Sequence, residues 1–195
     1  MDTPLDTYSS GYLAGQFLLA MPSMADPRFE RSVIYMCAHS PEEAMGLIIN
    51  KPVDDLSFAD ILEQLGIKPK SPACSEIYVH RGGPVGARRG FVLHSTDYHQ
   101  DDGTMKVSND IALSATTEIL RAIAEGSGPD HYFMALGYAG WGPGQLDEEI
   151  KNNDWLSVPA DAEILFSHDC AKKWDMALAK LGIAAHSLSG QAGQA

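Results

Sequence analysis

The chain has 195 residues, of which 45% are hydrophobic and 21% are charged, as expected for one ordinary globular domain. Its 26 acidic residues outnumber its 14 Lys and Arg residues, and the net charge of −12 opposes long-range attraction to nucleic acid and to anionic lipid. The longest apolar run, near residues 17–21, is too short to span a bilayer. We therefore expect neither a membrane partner nor direct, specific binding to DNA.

The cysteines and the N-terminal residues predict a compartment. Cys37, Cys74 and Cys170 form no CxxC pair. An odd, scattered set fits reduced thiols better than a disulfide framework. No Lys or Arg precedes Arg28, so the first residues lack the basic start of a signal peptide. These features predict a cytoplasmic protein.

The first half of the chain reads as three strands, a helix and two further strands. Runs of apolar and β-branched residues predict the strands over residues 16–22, 32–38, 44–50, 76–82 and 90–96. The helix covers residues 57–66, where Ser57 and Asp60 resemble a capping box and Gly66 supplies the stop.

The second half alternates helices and strands. Helices are predicted over residues 114–125, over a short segment from about 144, and over residues 169–181. Strands are predicted over residues 132–139 and 162–167. The segment 132–139 is apolar on both faces, which predicts a central strand.

Strands that come in runs, rather than in strict alternation with helices, predict an α+β fold with largely antiparallel sheets. About four helices would pack outside these sheets. No repeat and no long linker divides residues 1–195, so the sequence predicts one domain. The polar ends, residues 1–12 and 184–195, are predicted to be loose.

The glycine-rich stretch GWGPG at residues 140–144 follows the predicted central strand. It is not followed by the Gly-Lys-Ser or Gly-Lys-Thr of a phosphate loop, and no Ser or Cys stands between its glycines as in a nucleophile elbow. Carboxylates at Asp147 and Glu148 would repel an anion from the helix that follows. We interpret the stretch as a strand-to-helix turn in which Trp141 packs as a lid, with a binding loop as the alternative.

A basic cluster occupies HRGGPVGARRGFVLH, residues 80–94, with Arg81, Arg88 and Arg89. The glycines Gly82 and Gly83 free the backbone to present N–H groups, so a small anion could bind between that backbone and Arg81. The alternative is a hairpin whose arginines are solvated or paired with acids elsewhere.

Two further groups of reactive residues carry weaker signals. The acidic loop from His94 to Asp102 contains histidines and aspartates, but no metal-ligand spacing, so no metal site is predicted. Cys170 follows His168 in SHDC, at the start of the last predicted helix, and packing is favoured over a nucleophilic role. We predict no catalytic residue and no cofactor.

Several long segments together resemble the AlgH/YqgE family of bacterial proteins. They are GQFLLAMPSMADPRFERSVIYMCAHSPEEAMGLIINKP, the pair RGGPV and GFVLHS, and LGYAGWGPGQLDEEI followed by NDW. The resemblance covers nearly the whole chain, from about residue 15 to the end. It implies a compact α+β domain with coiled, bifurcated sheets. It also implies a label as a transcriptional regulator, after an association with alginate gene control, and it implies no catalytic residues.

Positions that recur in the family's motifs, together with Arg81, define a candidate ligand-binding site. Its residues are Asn50, Arg81, Gly82, Gly83, Pro84, His94, Gly140, Trp141, Gly142 and Gln145.

Three functions remain open from the sequence. The first is a cytoplasmic regulatory or binding protein that acts through a small molecule or a protein partner held between GGPV and GWGPG. The second is a hydrolase or transferase that uses a carboxylate such as Asp97, Asp147 or Glu148 with His94. The third is direct DNA binding, and we favour the first.

Overall fold

In a computed structural model, which describes residues 12–188, a ten-stranded sheet forms the frame of the protein. The strands are β1 Gln16–Ala20, β2 Val33–His39, β3 Ala44–Ile48, β4 Pro52–Ser57, β5 Tyr78–Arg81, β6 Val85–Ser95, β7 Thr104–Lys106, β8 Ile111–Ser114, β9 Tyr132–Trp141 and β10 Trp155–Pro159. The α-helices are α1 Phe58–Gln64, α2 Thr117–Glu125, α3 Gln145–Lys151, α4 Ala162–Phe166 and α5 Lys173–Ala179. Short 3-10 turns cover Pro27–Phe29, Pro72–Glu76, Cys170–Lys172 and Ala185–Ser187.

The strands follow the order β10-β1-β2-β3-β9-β6-β8-β7, and β5 joins β9 and β4 beside this path. All pairings are antiparallel except the one between β5 and β9. The structure thereby confirms the predicted α+β fold with a largely antiparallel sheet. It also confirms the central position of β9.

The sheet forks at β9, because two strands share one edge of it. β5 pairs with residues 134–136 of β9, whereas β3 pairs with residues 139–141. Gly137 lies between these two segments with φ of 73°, a left-handed conformation that glycine adopts without strain. The fork agrees with the bifurcated sheet that the family resemblance implies.

Alternation along β1 and β2 divides the core between the two faces of the sheet. Phe17, Leu19 and Tyr35 pack with α4 and α5 on one face. Leu18 and Ile34, whose side chains point the other way, pack on the opposite face with the indoles of β9 and β10. A further cluster lies under α1 and α2.

The predicted capping box of α1 is confirmed. The Ser57 hydroxyl accepts a hydrogen bond from the Asp60 N–H at 3.2 Å, and the Asp60 carboxylate accepts one from the Ser57 N–H at 2.7 Å. Gly126 ends α2 in the left-handed conformation, as the sequence predicts.

The predicted strand over residues 162–167 is wrong, because Ala162–Phe166 forms α4. The Asp161 carboxylate accepts a hydrogen bond from the Ile164 N–H at 2.8 Å and caps this helix. An apolar run of four or five residues does not distinguish a strand from a short helix, and the cap decides here.

Four short strands escaped prediction. They are β4, β7, β8 and β10, and none holds more than three consecutive apolar residues. The expected loose ends also differ from the structure where it describes them. Tyr12 contacts His39 edge-on, and Leu188 packs against the core. Residues 1–11 and 189–195 lie outside the described part of the chain.

Candidate functional site

A cleft of about 1140 Å³ lies between β4, the first half of β9 and the segment after α4. Its wall is formed by Pro52–Ser57, Asp60, Ala73, residues 75–78, His80, residues 130–134 and residues 166–168. A second cavity of about 610 Å³ lies between α1, α2 and β6. The larger cleft has the size and the mixture of polar and apolar groups expected of a ligand site.

The wall of the cleft is acidic. Its charged residues are Asp54, Asp55, Asp60, Glu76 and Asp130, and none of the described residues that line it is Lys or Arg. Hydrogen bonds from Ser57 lower the pKa of the Asp60 carboxyl, so this group is fully ionised at neutral pH. A cleft lined by one sign of charge concentrates ligands of the opposite sign.

His80 of β5 lines the cleft although its ring is only 6% exposed. Its Nδ1 lies 3.1 Å from the Met134 carbonyl oxygen, and its ring stacks on Phe133 at 4.0 Å between centroids. Burial lowers the pKa of His80 to about 4, so the ring is neutral at physiological pH.

Cys170, for which the sequence favours a packing role, lies beside the His80 ring. Its Sγ is 3.3 Å from His80 Nε2. Sequence reasoning missed this pair because the two residues are 90 positions apart, and no local pattern joins them.

Lys173 is fully buried next to this pair. Its Nζ donates to the carbonyl oxygens of Ile49 at 3.0 Å and Leu165 at 2.8 Å, and it lies over the Phe133 ring. Burial lowers the pKa of Lys173 to about 8. The Lys173 side chain therefore links the residue after β3 and helix α4 to Phe133, which lines the cleft.

The predicted residues Gly82 and Gly83 allow close backbone contact between the end of β5 and β9 at the fork. The Gly82 N–H donates to the Leu136 carbonyl at 2.8 Å. A Cβ at Gly82 would collide with the Gly137 oxygen, and one at Gly83 with the Tyr138 carbonyl. The predicted anion site is therefore wrong in one part, because the Gly82 N–H is already bonded. A ligand contact by the exposed Arg81 and Pro84 stays a prediction.

The GWGPG stretch forms the strand-to-helix turn that the sequence predicts. Trp141 ends β9, buried at 6% exposure, and Gly144 caps α3 in the left-handed conformation. The Gln145 side chain accepts from the Gly142 N–H at 3.1 Å and donates to Glu149 at 2.9 Å. Gly140 pairs with Met45 of β3.

The remaining predicted residues, Asn50 and His94, also have structural partners. Asn50 accepts a hydrogen bond from the Val33 N–H at 2.9 Å and donates to the Arg31 carbonyl at 2.8 Å. His94 is fully buried, with one ring nitrogen 2.9 Å from the Ser114 hydroxyl and the other 2.9 Å from the Ser95 carbonyl.

The ten predicted residues do not form a single site. The GGPV and GWGPG stretches are neighbours, since Val85 pairs with Tyr138 of β9. His94, however, pairs with Tyr132 at the opposite end of β9 from Trp141. Tyr132 and Trp141 are the two ends of β9, nine residue steps or up to about 30 Å apart along the strand. The predicted residues line neither of the two cavities described above.

In the described residues 12–188, no three His, Cys, Asp or Glu side chains converge as a metal site. Over the same range, no helix has the length and apolar character needed to cross a bilayer.

The forked, largely antiparallel sheet with helices outside it and one acidic cleft define a single-domain α+β protein. Comparison with known proteins agrees with this class. A family model described as AlgH-like (DUF179) matches residues 17–186. A UPF0301 protein of Cereibacter sphaeroides is 56% identical over 183 residues, which cover 94% of this chain and 99% of that protein.

A UPF0301 protein of Rhodospirillum rubrum is 54% identical and covers 95% of this chain. The solution structure of the AlgH protein from Pseudomonas aeruginosa matches with a TM-score of 0.79 at 41% identity, and covers 97% of this chain and 100% of that one. The chain belongs to the AlgH-like family, which confirms the resemblance drawn from its sequence motifs. The names of these relatives state no ligand, partner or reaction.

Proposed function

We propose that the protein is a cytoplasmic regulatory or binding protein that acts through a ligand or protein partner, and that a cationic group of this partner occupies the acidic cleft. The observation that supports the proposal is the combination of about 1140 Å³ of space with five lining carboxylates and three lining histidines. Primary amines, guanidinium groups and basic peptide segments are the ligands that such a wall attracts.

Two carboxylates on β4 are suited to meet a cation directly. Asp54 and Asp55 are exposed, and they belong to an irregular strand whose pairing with β5 is interrupted between Pro52 and Ser57. A partner can therefore approach these side chains without first breaking the capping box of α1.

A hydrolase or transferase that uses His94 with a carboxylate receives less support. His94 is fully buried, and both of its ring nitrogens are engaged. Asp97 already accepts a hydrogen bond from the Asp130 N–H at 2.9 Å. A general base must reach the proton that it abstracts, and the buried His94 ring, with both nitrogens engaged, cannot do so.

The test is a thermal-shift titration with spermidine and with a short Lys/Arg peptide as cationic probes. At about 100 times its Kd, a probe that binds the folded state adds about 2.7 kcal/mol to the free energy of unfolding. For a domain of this size that corresponds to a rise in Tm of about 5–10 °C. Citrate serves as an anionic probe that should give no shift.

A matched pair of variants separates the cleft from the general acidity of the chain. Asp54→Asn with Asp55→Asn removes two charges from the cleft, whereas Asp101→Asn with Asp102→Asn removes two from an exposed loop outside it. We expect the first pair to weaken binding about tenfold, since each exposed ion pair contributes up to about 1 kcal/mol, and the second to weaken it less than about twofold. Equal losses would indicate attraction by net charge alone. No shift with any cationic probe would overturn the proposal.

A further inference from the structure

Cys170 and His80 form a thiol–imidazole pair at the edge of the cleft. Cys170 begins a 3-10 turn and is half-buried, while His80 projects from β5 at 6% exposure. The Sγ–Nε2 distance of 3.3 Å is within the range of a hydrogen bond to sulfur. His168 and Ser167, which precede Cys170, line the cleft together with His80.

The direction of the hydrogen bond follows from the other ring nitrogen. The Met134 carbonyl oxygen can only accept, so the proton on the neutral ring belongs to Nδ1, 3.1 Å away. Nε2 then carries a lone pair and accepts from the Cys170 S–H group. A base that is oriented by a third group and bonded to a thiol is the arrangement that activates a nucleophile.

Both members of the pair are neutral at physiological pH. Burial raises the pKa of the Cys170 thiol and lowers the pKa of His80 to about 4. The titratable groups that act on the pair are Lys173 and His168 near His80, and Lys173 and Asp169 near Cys170. The proton must therefore leave the sulfur during attack and not before it.

The surroundings of the pair select small, uncharged reactants. Carboxylates line the adjacent cleft, and they repel anionic electrophiles such as acidic disulfides or acyl phosphates. A hydroperoxide is small and neutral, and it reacts with thiols by a two-electron step.

We propose that Cys170 is a modification site at which a hydroperoxide oxidises the thiol to a sulfenic acid, with His80 as the base. The Sγ–H proton passes to His80 Nε2 while Sγ attacks the terminal peroxide oxygen. The O–O bond breaks, the leaving alkoxide takes the proton from His80, and an alcohol or water is released. Sulfur loses two electrons and the peroxide gains them. This reaction is independent of the proposed binding of a cationic partner in the cleft, so either proposal can fail without the other.

The experiment measures the rate of sulfenic acid formation at each cysteine with hydrogen peroxide, a dione trap and mass spectrometry, from about pH 5.5 to 7, where Lys173, with a pKa of about 8, stays charged. With His80 as the base, the rate at Cys170 should change less than about twofold over this range, because both groups stay neutral. A thiol without a base reacts through its thiolate, whose fraction rises about tenfold per pH unit below the pKa. The buried Cys37 and Cys74 are internal controls in the same chain.

The variant His80→Asn retains a donor for the Met134 carbonyl but provides no base at the Nε2 position. We expect the rate at Cys170 to fall at least about tenfold at pH 6 and to become steeply pH-dependent, since a general base contributes about 10²–10⁴ in rate. If Cys37 and Cys74 become labelled in this variant, the variant is unfolded. In that case the pH profile of the wild type alone tests whether His80 is the base. A tenfold rise per pH unit in the wild type, or no preference for Cys170 over Cys37 and Cys74, would overturn the proposal.

Discussion

The side chain of Glu149 holds together three segments of the chain. Its Oε2 accepts hydrogen bonds from the indole N–H groups of Trp141 and Trp155, both at 2.8 Å, and its Oε1 accepts from Gln145 at 2.9 Å. The two indoles are buried and pack edge to face. Buried indole N–H groups need acceptors, so one carboxylate satisfies two groups that would otherwise be costly to bury.

Glu149→Ala should lower the free energy of unfolding by about 2–4 kcal/mol, because it removes charge-assisted hydrogen bonds and leaves buried donors unpaired. Urea denaturation followed by tryptophan fluorescence measures this loss. Glu148→Ala is the control, since Glu148 pairs with Lys151 at 2.9 Å and both side chains are 69% exposed. We expect that control to change stability by less than about 1 kcal/mol. Similar losses in the two variants would contradict the role assigned to Glu149.

The hydrogen-bond partners of Trp141 and Gln145 show what the sequence could not reveal about two of the candidate ligand residues. Trp141 and Gln145 attract attention in the sequence because they interrupt a glycine-rich loop. Their partner Glu149 lies nearby in the sequence. The second indole bound by Glu149 is that of Trp155 in β10, a strand that was not predicted because it is short and partly polar. The motif therefore indicated an unusual turn. Only the fold shows that the polar groups of Trp141 and Gln145 are hydrogen-bonded to Glu149 within the protein.

At the scale of elements, the fork in β9 depends on Gly137. Its φ of 73° would strain any residue with a Cβ, and that Cβ would lie 2.5 Å from the Gly83 oxygen and 3.0 Å from the Val85 oxygen. Backbone atoms line both contacts, so the clash cannot be relieved by rotating a side chain. Glycine is required here because the two halves of the sheet approach each other at this point.

Gly137→Ala should destabilise the protein by about 2–5 kcal/mol, through left-handed backbone strain and overpacking. Gly142→Ala is the matched control in the neighbouring turn, where a Cβ would meet no atom within 4 Å. We expect this control to stay within about 1 kcal/mol of the wild type. Thermal denaturation of both variants provides the comparison. A stable Gly137→Ala variant would show that the fork tolerates a side chain.

Local pattern predicted the elements with clear caps or long apolar runs. Ser57 and Gly126 marked α1 and α2, and the run in β9 identified a central strand. Prediction failed where a short apolar run had two solutions, as in α4, or where pairing with a distant strand stabilises a polar segment, as in β4 and β10. The cleft and the Cys170–His80 pair arise from contacts between distant segments, so no local pattern could reveal them.

At the scale of the whole molecule, the charge distribution opposes nucleic acid. The net charge is −12, and three of the six exposed arginines, Arg81, Arg88 and Arg89, form a single short basic stretch. We expect no measurable binding to a 20-base-pair duplex at 150 mM salt. At 20 mM salt, any binding should be sequence-independent and disappear as salt rises, because phosphate contacts release counterions. Fluorescence anisotropy tests this expectation, and salt-resistant binding to one sequence would contradict it.

The position of β9 in the sequence affects how the chain is made. Strands β3, β5 and β6 all pair with β9, which comprises Tyr132–Trp141. Strand β1 pairs with β10, which follows still later at Trp155–Pro159. At about 5–20 residues per second, a ribosome needs roughly 7–28 s to synthesise the chain through β9. Until then, the apolar strands of the first half have no central partner. We therefore expect the growing chain to expose apolar strands that chaperones bind, and the sheet to be completed only after β9 and β10 have been synthesised.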